Sequence, residues 1–105
     1  MTTPTRGFVM GADFFVTYES GKTAERAFSL ARELAKREYG SCGYTGTIAE
    51  KDGFEVFPPK SAGDSLDEAY QLADRLEKWG PAGCFQVVDA EGDEPTWCFF
   101  GWASS

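Results

Sequence analysis

Four stretches of this 105-residue chain carry side chains whose types and spacing suit chemistry. Gly21-Lys22-Thr23 follows a strand-like run and opens a helical one, which is the setting of a phosphate-binding loop. That motif needs a further glycine five positions before Gly21. Val16 stands there, so the backbone nest that cradles phosphates has no way to form. Asp89, Glu91 and Asp93 alternate like the first half of a calcium loop. Its glycine and closing glutamate are replaced here by Glu94 and Phe100, so the stretch reads as a solvated, acidic hairpin tip that discourages edge pairing. Asp64, Asp67 and Glu68 gather where a helix should begin, and their interaction with the helix dipole accounts for them without acid–base chemistry.

The fourth stretch is the series Gly40, Gly43, Gly46 with Ser41, Cys42, Tyr44, Thr45, Thr47, Glu50 and Lys51 around it. It follows the C-terminal end of a predicted helix, which presents carbonyls and partial negative charge. Anions bind at the opposite end, so a phosphate loop is excluded. Short polar and aromatic groups on one loop still suit contact with a small ligand or a peptide. Tyr44, Thr45, Thr47, Glu50 and Lys51 are therefore the candidate contacts here. Trp97 and Phe99 join them as aromatics of a sheet face expected to be open.

Composition narrows the function classes. Histidine is absent, which removes the commonest general base and metal ligand and every Ser-His or Cys-His dyad. No catalytic residue, metal site or cofactor is expected, and the chain reads as non-enzymatic. The net charge of −7 argues against direct contact with nucleic acid, whose binding needs a basic surface. The charge is uneven: residues 22–39 carry five basic and three acidic groups, whereas residues 60–105 carry three basic and nine acidic. Such asymmetry favours a charged partner, one with a basic surface. Three widely spaced cysteines, Cys42, Cys84 and Cys98, without a C-x-x-C pattern, read as reduced thiols packed as small apolar groups in a cytoplasmic protein. No apolar run has the length of a signal peptide core or a membrane span, so neither is expected.

These groups must be positioned by a single domain over residues 1–105, with 1–7 a loose arm and 103–105 a tail. A strand is predicted around Phe14–Tyr18. A helix is predicted over 22–39, with Ala24, Ala27, Phe28, Ala31, Leu34 and Ala35 on its buried stripe. Thr47–Phe57 reads as a hairpin turning at Asp52-Gly53. Ser65-Leu66-Asp67-Glu68 reads as a capping box, opening a helix to about Lys78 that buries Leu66, Ala69, Tyr70, Ala73 and Leu76 and ends at Gly80-Pro81. Strands at 84–89 and 96–102 follow. The order β-α-β-β-α-β-β predicts an α+β fold, ferredoxin-like with an added C-terminal strand. Two helices would cover one face of an antiparallel sheet. The other face, bearing some of Phe15, Phe85, Trp97 and Phe99, would serve a partner or a homodimer.

The segment Tyr39-Gly40-Ser41-Cys42-Gly43-Tyr44-Thr45-Gly46-Thr47-Ile48-Ala49-Glu50-Lys51 resembles one shared by small uncharacterised proteins of bacteriophages and prophages, of the form Y-G-x-x-G-Y-[TS]-G-T-I-A-E-K. It covers about an eighth of the chain, and no activity is attached to it. The resemblance implies a phage or prophage context, and hence a host cytoplasm. The expected function is that of a small acidic accessory protein that binds a host or phage protein. A small-ligand binder using the Gly43–Lys51 loop and a self-associating structural module are the alternatives.

Overall fold

The computed structural model describes residues 12–39, 47–77 and 80–104. The loose arm, Cys42, Tyr44, Thr45, the three-glycine series and Trp79 lie outside the described residues. Along the chain run β1 (Ala12–Ser20), α1 (Ala24–Tyr39), a single 3-10 turn (Ile48–Glu50), β2 (Phe54–Val56), α2 (Ser65–Ala73), β3 (Ala82–Val87) and β4 (Thr96–Ser104). The strands form a four-stranded sheet in the order β1-β4-β3-β2. β4 pairs antiparallel with β1 along its whole length, from Ala12 opposite Ser104 to Ser20 opposite Thr96, and antiparallel with β3 on its other side. β3 pairs parallel with β2.

The α+β class with two helices is as expected. The ferredoxin-like order is not confirmed, and the antiparallel sheet is corrected to a mixed one. The departure begins at the expected hairpin. The turn expected there, a three-residue loop Lys51-Asp52-Gly53 with Gly53 as the bulge residue, needs Gly53 at positive φ, and the described glycines with positive φ are Gly92 and Gly101. Ile48–Glu50 instead curls into the 3-10 turn. Thr47 Oγ1 accepts from the Ala49 amide, and the Lys51 amide closes the turn on the Ile48 carbonyl. Ile48 thereby reaches the interior through a turn rather than through a strand face. Freed from that pairing, Phe54–Val56 aligns beside β3, with α2 in the crossover that parallel strands require. Pro58 and Pro59 have no N–H to give, so β2 stops after three residues. Contact resumes beyond them, where the Lys60 amide donates to Gln86 and the Lys60 carbonyl accepts from Val88.

The two helices lie on opposite faces of the sheet, which corrects the expectation of one covered and one open face. Ala24, Ala27, Phe28 and Ala31 of α1 pack with Ile48 on Phe15, Ala82, Cys84, Phe99 and Ala103. Ala69 and Ala73 of α2 pack on Phe85, Val87, Cys98 and Phe100, flanked by Phe14, Val16 and Trp102. Both parities of β3 and β4 are thus buried, as the unbroken apolar run Trp97-Cys98-Phe99-Phe100 requires. On the α1 face the rings of Phe28, Phe54 and Phe99 form a triangle with centroids 4.9–5.6 Å apart. Such pairs contribute about 0.5–1.5 kcal/mol each beyond their buried area.

The second helix also differs from its sequence reading. It ends at Ala73, and Asp64, not Ser65, is the residue before its first turn. Ser65 spends its hydroxyl on the Ala62 carbonyl and on Tyr18, and Glu68 reaches Lys60 at 3.4 Å, so the capping box does not form. The buried stripe consists of Ser65, Ala69 and Ala73, with Leu72 and Leu76 beside it, leaving Leu66 and Tyr70 outside. Leu34 of α1, expected inside, is exposed as well.

One glycine is required by close approach. Gly83 lies opposite Phe100, whose ring rests on the glycine, and a Cβ at residue 83 would fall 2.3 Å from the ring's Cζ. Gly83→Ala must displace a fully buried ring. It is expected to cost about 1–3 kcal/mol, read as a lower urea midpoint with an unchanged slope.

Candidate protein-docking surface

The described residues among those singled out in the sequence do not converge. Thr47 is half-buried and caps the 3-10 turn. Glu50 ends that turn, and its side-chain position is outside what the structure describes. Lys51, only 1% exposed, points inward: Nζ donates to the carbonyls of Gly80 at 3.0 Å and Glu77 at 3.4 Å. Trp97 is half-buried, its indole N–H donating to the Gly21 carbonyl at 3.0 Å. Phe99 is fully buried between Phe28 and Phe54. Thr47 lines a surface groove between β1 and α1.

The other sequence motifs resolve into structural roles. Thr23 Oγ1 accepts from the Arg26 amide at the start of α1, while Gly21 is held by Pro95 and Trp97 beside β4. Asp89 accepts a hydrogen bond from the Ala62 amide and so clamps the loop ahead of α2. Among the described residues no group of three His, Cys, Asp or Glu side chains is placed to hold a metal ion. No described helix is long and apolar enough to cross a membrane.

A surface that the sequence reading missed runs along β1 and α2. Tyr18 (45% exposed), Leu66 (54%) and Tyr70 (49%) present their side chains there together. The Tyr18 hydroxyl and Ser65 Oγ are hydrogen-bonded at 2.7 Å, which sets Tyr18 beside the first turn of α2. Leu66 and Tyr70 lie four residues apart and share one side of that helix. Tyr70 meets Phe14 edge to face at 5.3 Å, and half-buried Val16 lies between Phe14 and Tyr18 on the same strand face. Exposed Asp67 and Asp74 flank Tyr70 at helical spacing, while Asp13 and Glu19 near the two ends of β1 turn to the opposite, α1 face. The result is an aromatic and aliphatic patch with an acidic rim. Its sequence signal is weak but present: α2 has apolar residues at 66, 69, 70, 72 and 73, more than one face of a nine-residue helix can bury.

On the other side of β1 a groove of about 810 Å³ opens between the strand and α1. Ala31, Leu34, Ala35 and Ile48 line it with the chain from Phe14 to Thr17, and Glu19, Arg37, Glu38 and Thr47 border it. Arg37 is paired with Glu33 at 3.0 Å.

No family model matches the chain, and no curated protein or solved structure gives a significant match to it.

The described thiols are set up for packing. Cys84 and Cys98 are fully buried on adjacent strands. Burial pushes both up to about 12 from an ordinary 9.0, with Glu25 adding to the effect at Cys84 and Cys84 at Cys98. Thiolates are the reactive form, so both cysteines are expected to label with a maleimide only as fast as the protein unfolds. The unfolded chain ionises these thiols at lower pH than the folded one. Their contribution to stability is therefore complete below pH 9 and is lost as pH rises toward 12. Replacing both cysteines with alanine should make that alkaline decline shallower in urea titrations. Lys51→Met keeps the buried stem but removes the ammonium donor from the Gly80 carbonyl and leaves the Glu77 carbonyl with the Gly80 amide. It is expected to cost about 1–3 kcal/mol in the same titration.

Proposed function

We propose that this chain acts by binding another protein, as a small, acidic, non-enzymatic accessory protein of phage type working in a host cytoplasm. The phage context rests on the Tyr39–Lys51 segment. The binding reading rests on one observation, the exposed cluster of Tyr18, Leu66 and Tyr70 within an acidic rim. Large aromatics in a contiguous apolar patch are the composition of interface centres, and a polar rim around them excludes water when a partner docks. The rim selects for a partner with a basic surface and speeds its approach. A small-ligand role for the Gly43–Lys51 loop has less support, because the Lys51 ammonium is committed to interior carbonyls.

The test is affinity capture from a bacterial lysate with paired variants. Leu66→Ser with Tyr70→Ser should reduce the captured partner at least tenfold. Both side chains are half-exposed, so the variant's melting temperature should change little. Leu30→Ser, on the exposed side of α1, should leave capture intact. Equal capture by all three proteins, or loss only with the α1 variant, would reject the reading. Raising salt should weaken capture as the rim charges are screened.

A further inference from the structure

We propose that the outer edge of β1 accepts an extended segment of a basic partner as a fifth strand. This rests on the protein-binding reading above and adds how the partner is held. β1 is nine residues long and stands at the end of the sheet, paired among the described strands with β4 alone. Such an edge offers a row of backbone donors and acceptors, the substrate of β-strand addition.

The flanks of this edge match side chains of both parities on an incoming strand. Those of one parity enter the groove between β1 and α1, over Ala31, Leu34 and Ile48. Those of the other parity lie against Val16, Tyr18 and, beyond them, Tyr70 of α2.

Charge settles which kind of strand fits. Asp13 and Glu19 point to the same side of β1, six positions apart, which is about 20 Å at strand rise. Opposite charges directly across a strand pair stabilise it and like charges oppose it. The favoured segment therefore carries Lys or Arg at two positions six apart, with apolar residues between them on that side. A second copy of this chain fits worse. Antiparallel pairing of two β1 strands about Val16 sets Asp13 of each copy against Glu19 of the other, and each copy brings a net charge of −7.

The experiment uses the full chain and fluorescein-labelled nine-residue peptides of threonine, with valine at peptide positions 4 and 6 and lysine at 2 and 8. A second peptide replaces both lysines with glutamate. Two more carry N-methyl groups on the odd or on the even residues of the lysine peptide. Binding is followed by anisotropy, and β1 amides by hydrogen exchange with and without peptide. The lysine peptide should bind and protect β1 amides, and the glutamate peptide should bind at least about tenfold more weakly. In a strand successive residues point their N–H groups to opposite sides. One N-methylated form should thus bind like its parent and the other about tenfold worse or less. Asp13→Lys with Glu19→Lys should reverse the preference toward the glutamate peptide.

Equal binding of the two N-methylated forms, absence of binding by the lysine peptide, or an unchanged preference in the charge-reversed variant would each overturn the proposal. So would protection, without peptide, of the alternate β1 amides that do not bond to β4. In a monomer this means the chain's own residues hold the edge; in a dimer by sedimentation, it means a second copy does. If the peptides fail while Leu66→Ser with Tyr70→Ser still abolishes capture, strand addition falls and the protein-binding reading stands.

Discussion

Burial of β4 on both faces is the constraint on which the remaining structure depends. A strand that carries Trp97, Cys98, Phe99 and Phe100 in succession cannot give either face to water, so each face needs its own cover. The chain supplies α1 on one side and α2 on the other, and β4 is flanked by β1 and β3 so that its backbone is paired along both edges. The short β2 then joins β3 in parallel because the crossover that carries α2 across the sheet leaves it no antiparallel neighbour. Small residues complete the arrangement. Ala24, Ala27 and Ala31 on α1, and Ala69 and Ala73 on α2, bring both helices close to a sheet already thick with aromatic rings.

The same economy explains why the functional groups are not where their spacing suggests. A lysine beside a glycine-rich loop looks available, yet the turn at Ile48–Glu50 reverses its direction and carries Lys51 inside. Its ammonium there satisfies carbonyls of the chain between α2 and β3, an irregular stretch with no ladder of its own. Leu66 and Tyr70 are outside for the complementary reason. A nine-residue helix over a sheet buries one narrow stripe, and alanines and Ser65 occupy it.

Much of the fold was legible in the residues. The stripe Ala24–Ala27–Phe28–Ala31 and the helix it implies are present, as are the strands at Phe14–Tyr18, 84–87 and 96–102. What escaped was tertiary. Asp52-Gly53 is a hairpin signal in isolation, but Gly53 does not take the positive φ that such a turn demands. One sheet face was expected to be open, whereas the continuous apolar run Trp97-Cys98-Phe99-Phe100 was the available sign of a sheet covered twice. Of the site, the acidic bias of the C-terminal half was readable and reappears as the rim. The patch itself was not, because Leu66 and Tyr70 fit the period of a buried stripe as well as Ala69 and Ala73 do. Only packing decides which of two overlapping stripes turns inward.

The two prolines after β2 give the sheet a direction. At that border the ladder is interrupted by residues without N–H groups, and the strand before them is three residues long. The opposite border is a full-length strand. A sheet with one blunt border and one regular border can be extended once but cannot pass the extension on. Strand addition at β1, as proposed, would therefore end on this molecule, because the β2 border offers no regular ladder to carry a second added strand.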